Sequence, residues 1–137
     1  MEHSPRDVTE ALFAKDEASQ LLGMTVVEVA EGHAVVTMTI GPEMVNGLGV
    51  CHGGFIFSLA DSAMAFSSNA SNRYALATNA EIDWVRPGQL GSTLTATATE
   101  RHHKGRNGIT DVVVTDENGE AIALFRGRTR QVDGSHL

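Results

Sequence analysis

The chain has a single cysteine, Cys51, among 137 residues, so no intrachain disulfide is available and the fold must rest on its own core. No charged segment followed by an apolar run opens the sequence, and together with the lone thiol this makes a reducing cytoplasm the expected location. Long hydrophobic runs are also lacking. The longest, Phe55 to Phe66, is too short to cross a bilayer and carries Asp61 in its middle, so no membrane span or membrane partner is expected. Positive charge is scarce: ten basic residues face seventeen acidic ones, for a net charge of −7. That balance disfavours nucleic acid as a partner and requires any anionic ligand to find a local basic patch.

What is present fits one soluble domain. Hydrophobic residues make up 42% of the chain, and a chain of this length buries roughly two-thirds of its unfolded surface in one core. Residues 1–6 read as a flexible N-terminus, 7–132 as the domain and 133–137 as a flexible tail. From Asp7 to Leu22, Val8, Ala11, Leu12, Ala18 and Leu22 recur at helical spacing, and Gly23 follows as a stop, which predicts a short N-terminal helix. Met24–Glu31 and His33–Ile40 alternate as two strands of a hairpin around Gly32. A glycine- and proline-bearing loop, Gly41–His52, leads to a long helix at about 53–70, apolar on nearly every face. Four further strands follow: Ala75–Arg86, Ser92–Lys104, Asn107–Thr115 and Glu120–Val132. The fold class is therefore α+β, an antiparallel sheet of about six strands wrapped around one central helix. Such a sheet keeps an open edge, and dimerisation through that edge is one way to close it.

Asp61 is the main anomaly, because an ionised carboxylate in apolar surroundings costs several kcal/mol unless something compensates for it, on the order of magnitude known for buried ions. It is read either as structural, paired with Arg86 or Arg126 or facing solvent, or as a general base or nucleophile in a partly dry pocket. Gly53 and Gly54 stand where the long helix begins. Their amides and the positive end of the helix dipole make a site for a carbonyl or oxyanion, or else the glycines simply permit the turn. Asn46 and His52 are near in sequence. Gly53 and Asp61 are eight positions apart, about 12 Å along a helix axis, so they cannot grip one carbonyl together. If both act, Asp61 must come from a second subunit whose helix runs antiparallel, giving two shared sites across a twofold axis.

Asn46-Gly47, Cys51-His52-Gly53-Gly54, Ser58-Leu59-Ala60-Asp61, Ile82-Asp83-Trp84-Val85-Arg86-Pro87-Gly88 and Ala123-Leu124-Phe125-Arg126-Gly127 together resemble hotdog-fold acyl-CoA thioesterases of the phenylacetate-degradation PaaI type. The resemblance covers most of residues 17–132. It implies a hotdog homodimer, paired again into a dimer of dimers, that hydrolyses an aryl- or acyl-CoA thioester of phenylacetyl or hydroxyphenylacetyl type. It also implies that Asp61 acts as general base or nucleophile, that the Gly53 amide polarises the carbonyl, and that Asn46 and His52 line the same pocket. A hydroxyl on the strand after the long helix would hold the attacking water, and Thr78 is the candidate, with Ala77 the alternative register. Coenzyme A belongs to the substrate, so no separate cofactor is expected, and the scattered histidines offer no metal-ligand set.

Arg101-His102-His103-Lys104-Gly105-Arg106 is the densest basic segment. Arg101, Lys104 and Arg106, with Gly54 at the helix start, are candidates for holding the coenzyme, and a plain solvated turn is the other reading of the basic run. Arg86 and Arg126 read as structural, with Asp83 or a neighbouring subunit as partner. Cys51 has no acid–histidine arrangement and reads as a packed residue. Trp84 and Tyr74 line an aryl pocket or serve packing. Two other functions share the fold: an enoyl-CoA hydratase or dehydratase, and a non-catalytic acyl-CoA binding or sensing module.

Overall fold

The computed structural model describes residues 2–137. It opens with α1 (Pro5–Ala14) and α2 (Glu17–Leu21), so the one helix predicted from Asp7 to Leu22 is broken at Lys15-Asp16. Asp16 is the cause. Its carboxylate accepts from the Ser19 amide at 3.0 Å and from the Ser19 hydroxyl at 2.6 Å, capping a new helix rather than continuing the old one. The Ser19 hydroxyl lies 3.3 Å from that of Ser62, which ties this segment to the central helix beside Asp61.

β1 (Thr25–Ala30) and β2 (His33–Thr39) form the expected hairpin, and a 3-10 turn (Pro42–Met44) and loop lead to α3 (Gly53–Asn69). β3 (Arg73–Trp84), β4 (Thr93–Lys104), β5 (Asn107–Thr115) and β6 (Ala121–Ser135) complete one antiparallel sheet in the order β1-β2-β4-β5-β6-β3. The sheet wraps α3, as the hotdog pattern requires. On β4 the predicted alternation holds: Leu94, Ala96 and Ala98 are fully buried while Thr93 and Thr99 face out. Alanines at Ala34, Ala96 and Ala98 on the sheet, and at Ala60 and Ala63 on α3, let backbone approach backbone closely. Ile56, Leu59, Met64 and Phe66 fill the space between.

Burial of α3 is wide but not complete. Phe57, Ser58, Asp61, Ser62 and Ala65 are only half-buried and form one stripe along the helix. The uncovered stripe places Asp61 on the side that the protomer's own sheet leaves open. Strands β1 and β3 are the sheet edges, and β3 carries exposed apolar residues, with Leu76 61% and Trp84 52% accessible. β6 runs past the expected end at Val132 to Ser135, and the His136 ring then bonds Asn69 Oδ1 at 2.8 Å and stacks edge-on against Tyr74.

Gly127 marks the tightest point of the wrap. A β-carbon there would collide with the Met64 sulfur of α3 and touch the Phe125 ring at 3.0 Å. Gly127→Val should therefore overpack the core and cost about 2 kcal/mol, read as a lower denaturant midpoint. An unchanged midpoint would show that the sheet does not clasp the helix there.

Candidate active site

The loop before α3 is held from both sides. The Cys51 amide donates to the Gly88 carbonyl at 2.8 Å and the His52 amide to the Met44 carbonyl at 2.7 Å, so the Arg86-Pro87-Gly88 turn and the 3-10 turn fix where α3 begins. Asn46 organises the loop itself: its Oδ1 accepts from the amides of Leu48 at 2.9 Å and Val50 at 3.3 Å. Its side-chain amide nitrogen is left for other contacts. His52 is the N-cap of α3, and its Nδ1 accepts from the Gly54 amide at 3.3 Å. That uses one of the two glycine amides. Among the described residues nothing accepts from the Gly53 amide, which stays available at the positive end of the helix.

Trp84 holds this end in place. Its indole Nε1 donates to the Gly53 carbonyl at 3.1 Å, and a β-carbon at Gly53 would stand 3.0 Å from the ring. A glycine is needed where the indole lies against the backbone. Trp84 is thus a support for the helix start, and Tyr74, not Trp84, borders the apolar cleft beside α3. That cleft, of about 320 Å³, is also lined by Leu12, Ala65 and Leu76, with Lys15, Asp16 and His136 on its rim. Ala65 is one turn beyond Asp61 on the same face.

Asp61 is half-buried and has no hydrogen bond or ion pair among the described residues. Both arginines considered as partners are engaged elsewhere. Arg86 pairs with Glu120 at 3.3 Å, not with Asp83, and Arg126 grips Asp111 with two bonds of 2.6 and 2.8 Å. Burial alone pushes the Asp61 carboxyl up from its ordinary range. The structure therefore removes the ion-pair reading and leaves an uncompensated carboxylate. Burial likewise pushes the Cys51 thiol up, which suits a packed residue rather than a nucleophile.

The other predicted residues are spread out. Thr78 sits at a β-bulge between Ala77 and Asn79, with its hydroxyl donating to the Arg128 carbonyl at 3.4 Å, while Ala77 pairs with buried Thr129. Thr78 borders a cavity on the outer face of the sheet with His102 and Lys104, and the protomer does not bring it to Asp61. Arg101 is 3.7 Å from Asp111 and Arg106 is 3.3 Å from Asp133. The β4–β5 hairpin that carries them lies at the C-terminal end of α3, opposite to Gly53. Among the described residues no three His, Cys, Asp or Glu side chains gather as a metal would require. Among the described residues no helix is long and apolar enough to cross a membrane.

The thioesterase superfamily model matches residues 48–123, from the loop before α3 to β6. The chain is 39% identical to the acyl-coenzyme A thioesterase PaaI of Escherichia coli, over 98% of this chain and 96% of that protein. The structure of that E. coli protein, from the phenylacetic acid degradation operon, superposes with a TM-score of 0.94 over 96% of this chain and 95% of its own. A Streptococcus mutans protein solved with acetyl-CoA bound is 25% identical, with a TM-score of 0.78 over 82% of this chain and 90% of its own. The chain belongs to the thioesterase superfamily, and within it to the hotdog-fold enzymes of the PaaI type, which hydrolyse thioesters.

The raised carboxyl of Asp61 fixes a sign for stability. The native state holds its proton to higher pH than the unfolded chain does, so this group lowers stability as pH rises from the ordinary carboxylate range through the raised native value. Asp61→Asn should thus melt at a higher temperature than the unsubstituted chain at neutral pH, with the gain vanishing in acid. A variant that melts lower at neutral pH would mean that Asp61 is a structural partner after all.

Proposed function

We propose that this enzyme hydrolyses an aryl- or acyl-CoA thioester, of the phenylacetyl or hydroxyphenylacetyl type, to the free acid and coenzyme A. The observation that carries the reading is the pairing of an unpartnered, half-buried carboxylate at Asp61 with a free helix N-terminal amide at Gly53, in a chain 39% identical to PaaI. The apolar cleft beside Ala65, with Tyr74 on its wall, is of a size to take an aromatic ring. The site is shared. Because α3 is one continuous helix, Gly53 and Asp61 stay about 12 Å apart in a protomer, and the open stripe and exposed edge strand β3 are where a second copy completes it.

The thioester oxygen accepts from the Gly53 amide at the helix dipole's positive end, so charge developing on that oxygen is stabilised. The partner's copy of Asp61 then acts in one of two roles. As a base it takes a proton from water while the water oxygen bonds to the carbonyl carbon; the carbon–sulfur bond breaks and the leaving thiolate receives the proton. As a nucleophile its oxygen attacks the carbon and expels the thiolate, and water opens the resulting anhydride. Asn46 and His52 border the same opening and shape it. Thr78 comes into play only if the partner's edge strand carries it to the site. The basic hairpin of one protomer, with Lys104 and Arg106, holds the coenzyme of the other's thioester.

A panel of aryl and aliphatic acyl-CoA esters, followed by thiol release, tests this directly. Phenylacetyl esters should turn over fastest. Asp61→Asn should lower kcat by roughly a hundredfold or more, the scale of a lost general base. The acid limb of the kcat/KM profile should lie above the ordinary carboxylate range, because the active form is the deprotonated one and burial raises its pKa. Absence of thiol release across the panel, or retained activity in Asp61→Asn, would contradict the mechanism. Conversion of an enoyl ester without thiol release would point instead to a hydratase.

A further inference from the structure

Past Asp61, the core helix α3 ends in serines where packing alone calls for apolar residues. Ser67 is 1% and Ser68 8% accessible, and both hydroxyls, with that of neighbouring Ser71, are buried without a hydrogen-bond partner among the described residues. Asn69, between them, is fully used: it bonds the Ala65 and Ala75 carbonyls and the Ala75 amide. A buried hydroxyl left unmatched costs about 1–3 kcal/mol, so three together mark a place that something other than the protein satisfies.

All three serines border one cavity of about 550 Å³ at the C-terminal end of α3, closed by the β1–β2 turn and the β4–β5 hairpin. The wall also carries Glu31, Arg73, Glu100, His103 and Arg106; His103 Nδ1 stands 3.3 Å from Glu100, and Arg106 reaches Asp133, outside the wall, at 3.3 Å. The unmatched hydroxyls suit a chain of amides and hydroxyls, and Arg73 and Arg106 suit phosphates at the end of such a chain.

Helix geometry links this cavity to the chemistry. Ser68 follows Asp61 by seven residues, which is two turns, about 10 Å farther along the axis and on the same face. In the shared site Asp61 meets the partner's helix start, so beyond it α3 continues past the end of the partner's helix and leads from the thioester to the cavity. We propose that the cavity receives the amide-bearing arm of coenzyme A, the part between the thioester sulfur and the nucleotide. The Ser67 and Ser68 hydroxyls bond the arm's amides, and the phosphates emerge beside the hairpin near Arg106. The outer-face cavity at Lys104, Thr78 and Arg128 offers cations but no buried unpartnered hydroxyl, and it is the competing seat. This inference rests on the thioesterase reading.

The test is the double variant Ser67→Ala/Ser68→Ala in the full chain. It removes hydroxyls that bond nothing in the protein, so its melting temperature should equal or exceed that of the unsubstituted chain. The kcat/KM for phenylacetyl-CoA is divided by that for the N-acetylcysteamine thioester of the same acid, which keeps the thioester but lacks most of the arm. That ratio should fall roughly tenfold, through KM, as expected for two lost hydrogen bonds. A ratio equal to that of the unsubstituted chain, or one that falls only in Arg128→Ala, overturns the proposal. Calorimetric titration with free coenzyme A reads the same contact without turnover. If the unsubstituted chain hydrolyses neither ester, the thioesterase reading fails, and the binding result still decides. A dissociation constant weakened roughly tenfold in the serine variant supports the cavity, and an unchanged one, or no binding to the unsubstituted chain, overturns it.

Discussion

The structure depends on one constraint: α3 is too apolar to stand in water and too central to be covered by a flat sheet. Ile56, Leu59, Ala60, Ala63 and Met64 are all within 2% of full burial, and their spacing (i, i+3, i+4, i+7, i+8) makes one continuous face of the helix, wider than the narrow seam a flat surface would cover. A sheet that curls covers the flanks of that face as well as its middle, and the alanines of β2 and β4 together with Gly127 of β6 let it curl tightly. A six-stranded sheet cannot close fully around a helix of this length. The gap it leaves is the stripe of Phe57, Ser58, Asp61, Ser62 and Ala65, next to the exposed edge strand β3.

The placement of Asp61 in that gap carries a desolvation cost, which the proposed chemistry accounts for. Among the described residues nothing pairs with it, and burial is the one cause that moves its pKa; Arg86 and Arg126 are committed to Glu120 and Asp111. A carboxylate that costs stability in this way fits the proposed role of base or nucleophile, in which reactivity outweighs that cost. In the proposed reaction the free Gly53 amide is its counterpart. It sits at the positive end of the same helix that carries Asp61, and the indole of Trp84 keeps it fixed from behind. Since helix length keeps the two groups apart in a protomer, the proposed site needs two copies related by a twofold axis, with their α3 helices antiparallel.

The periodic parts of this molecule were legible in the sequence. Strand alternation, the hairpin glycines and the apolar helix each follow from a local rule; the sheet order does not, because β2–β4 and β3–β6 pair strands that are not neighbours in the chain. The segments His52-Gly53-Gly54 and Leu59-Ala60-Asp61 were legible too, since a glycine-rich helix start and an acid inside an apolar run are both visible as departures from pattern. Most of what escaped depended on contacts distant in sequence. The break at Asp16 has a local signal, an aspartate three residues before Ser19, but it is hidden by the apolar spacing that runs through it. The role of Trp84 is set by a bond to Gly53 thirty-one residues away. The register of Thr78 turns on a bulge, which inserts one residue without any mark in composition. The unsatisfied serines at the end of α3 look like ordinary helix-end residues until their burial is known.

The shared site is the central claim, and subunit complementation tests it most directly. Asp61→Asn removes the carboxylate from one helix. Gly53→Pro removes the amide, at a first-turn position where His52, with φ −60° and ψ 131°, already has the backbone that precedes proline; its β-carbon would stand 3.0 Å from the Trp84 ring, and that exposed indole must move by a few tenths of an ångström to admit it. Each variant alone should be inactive. After the two are mixed and allowed to exchange subunits, half the dimers should be mixed and each should hold one intact site, so roughly a quarter of full activity should return. A mixture that has demonstrably exchanged subunits yet stays inactive would contradict a site built from two protomers.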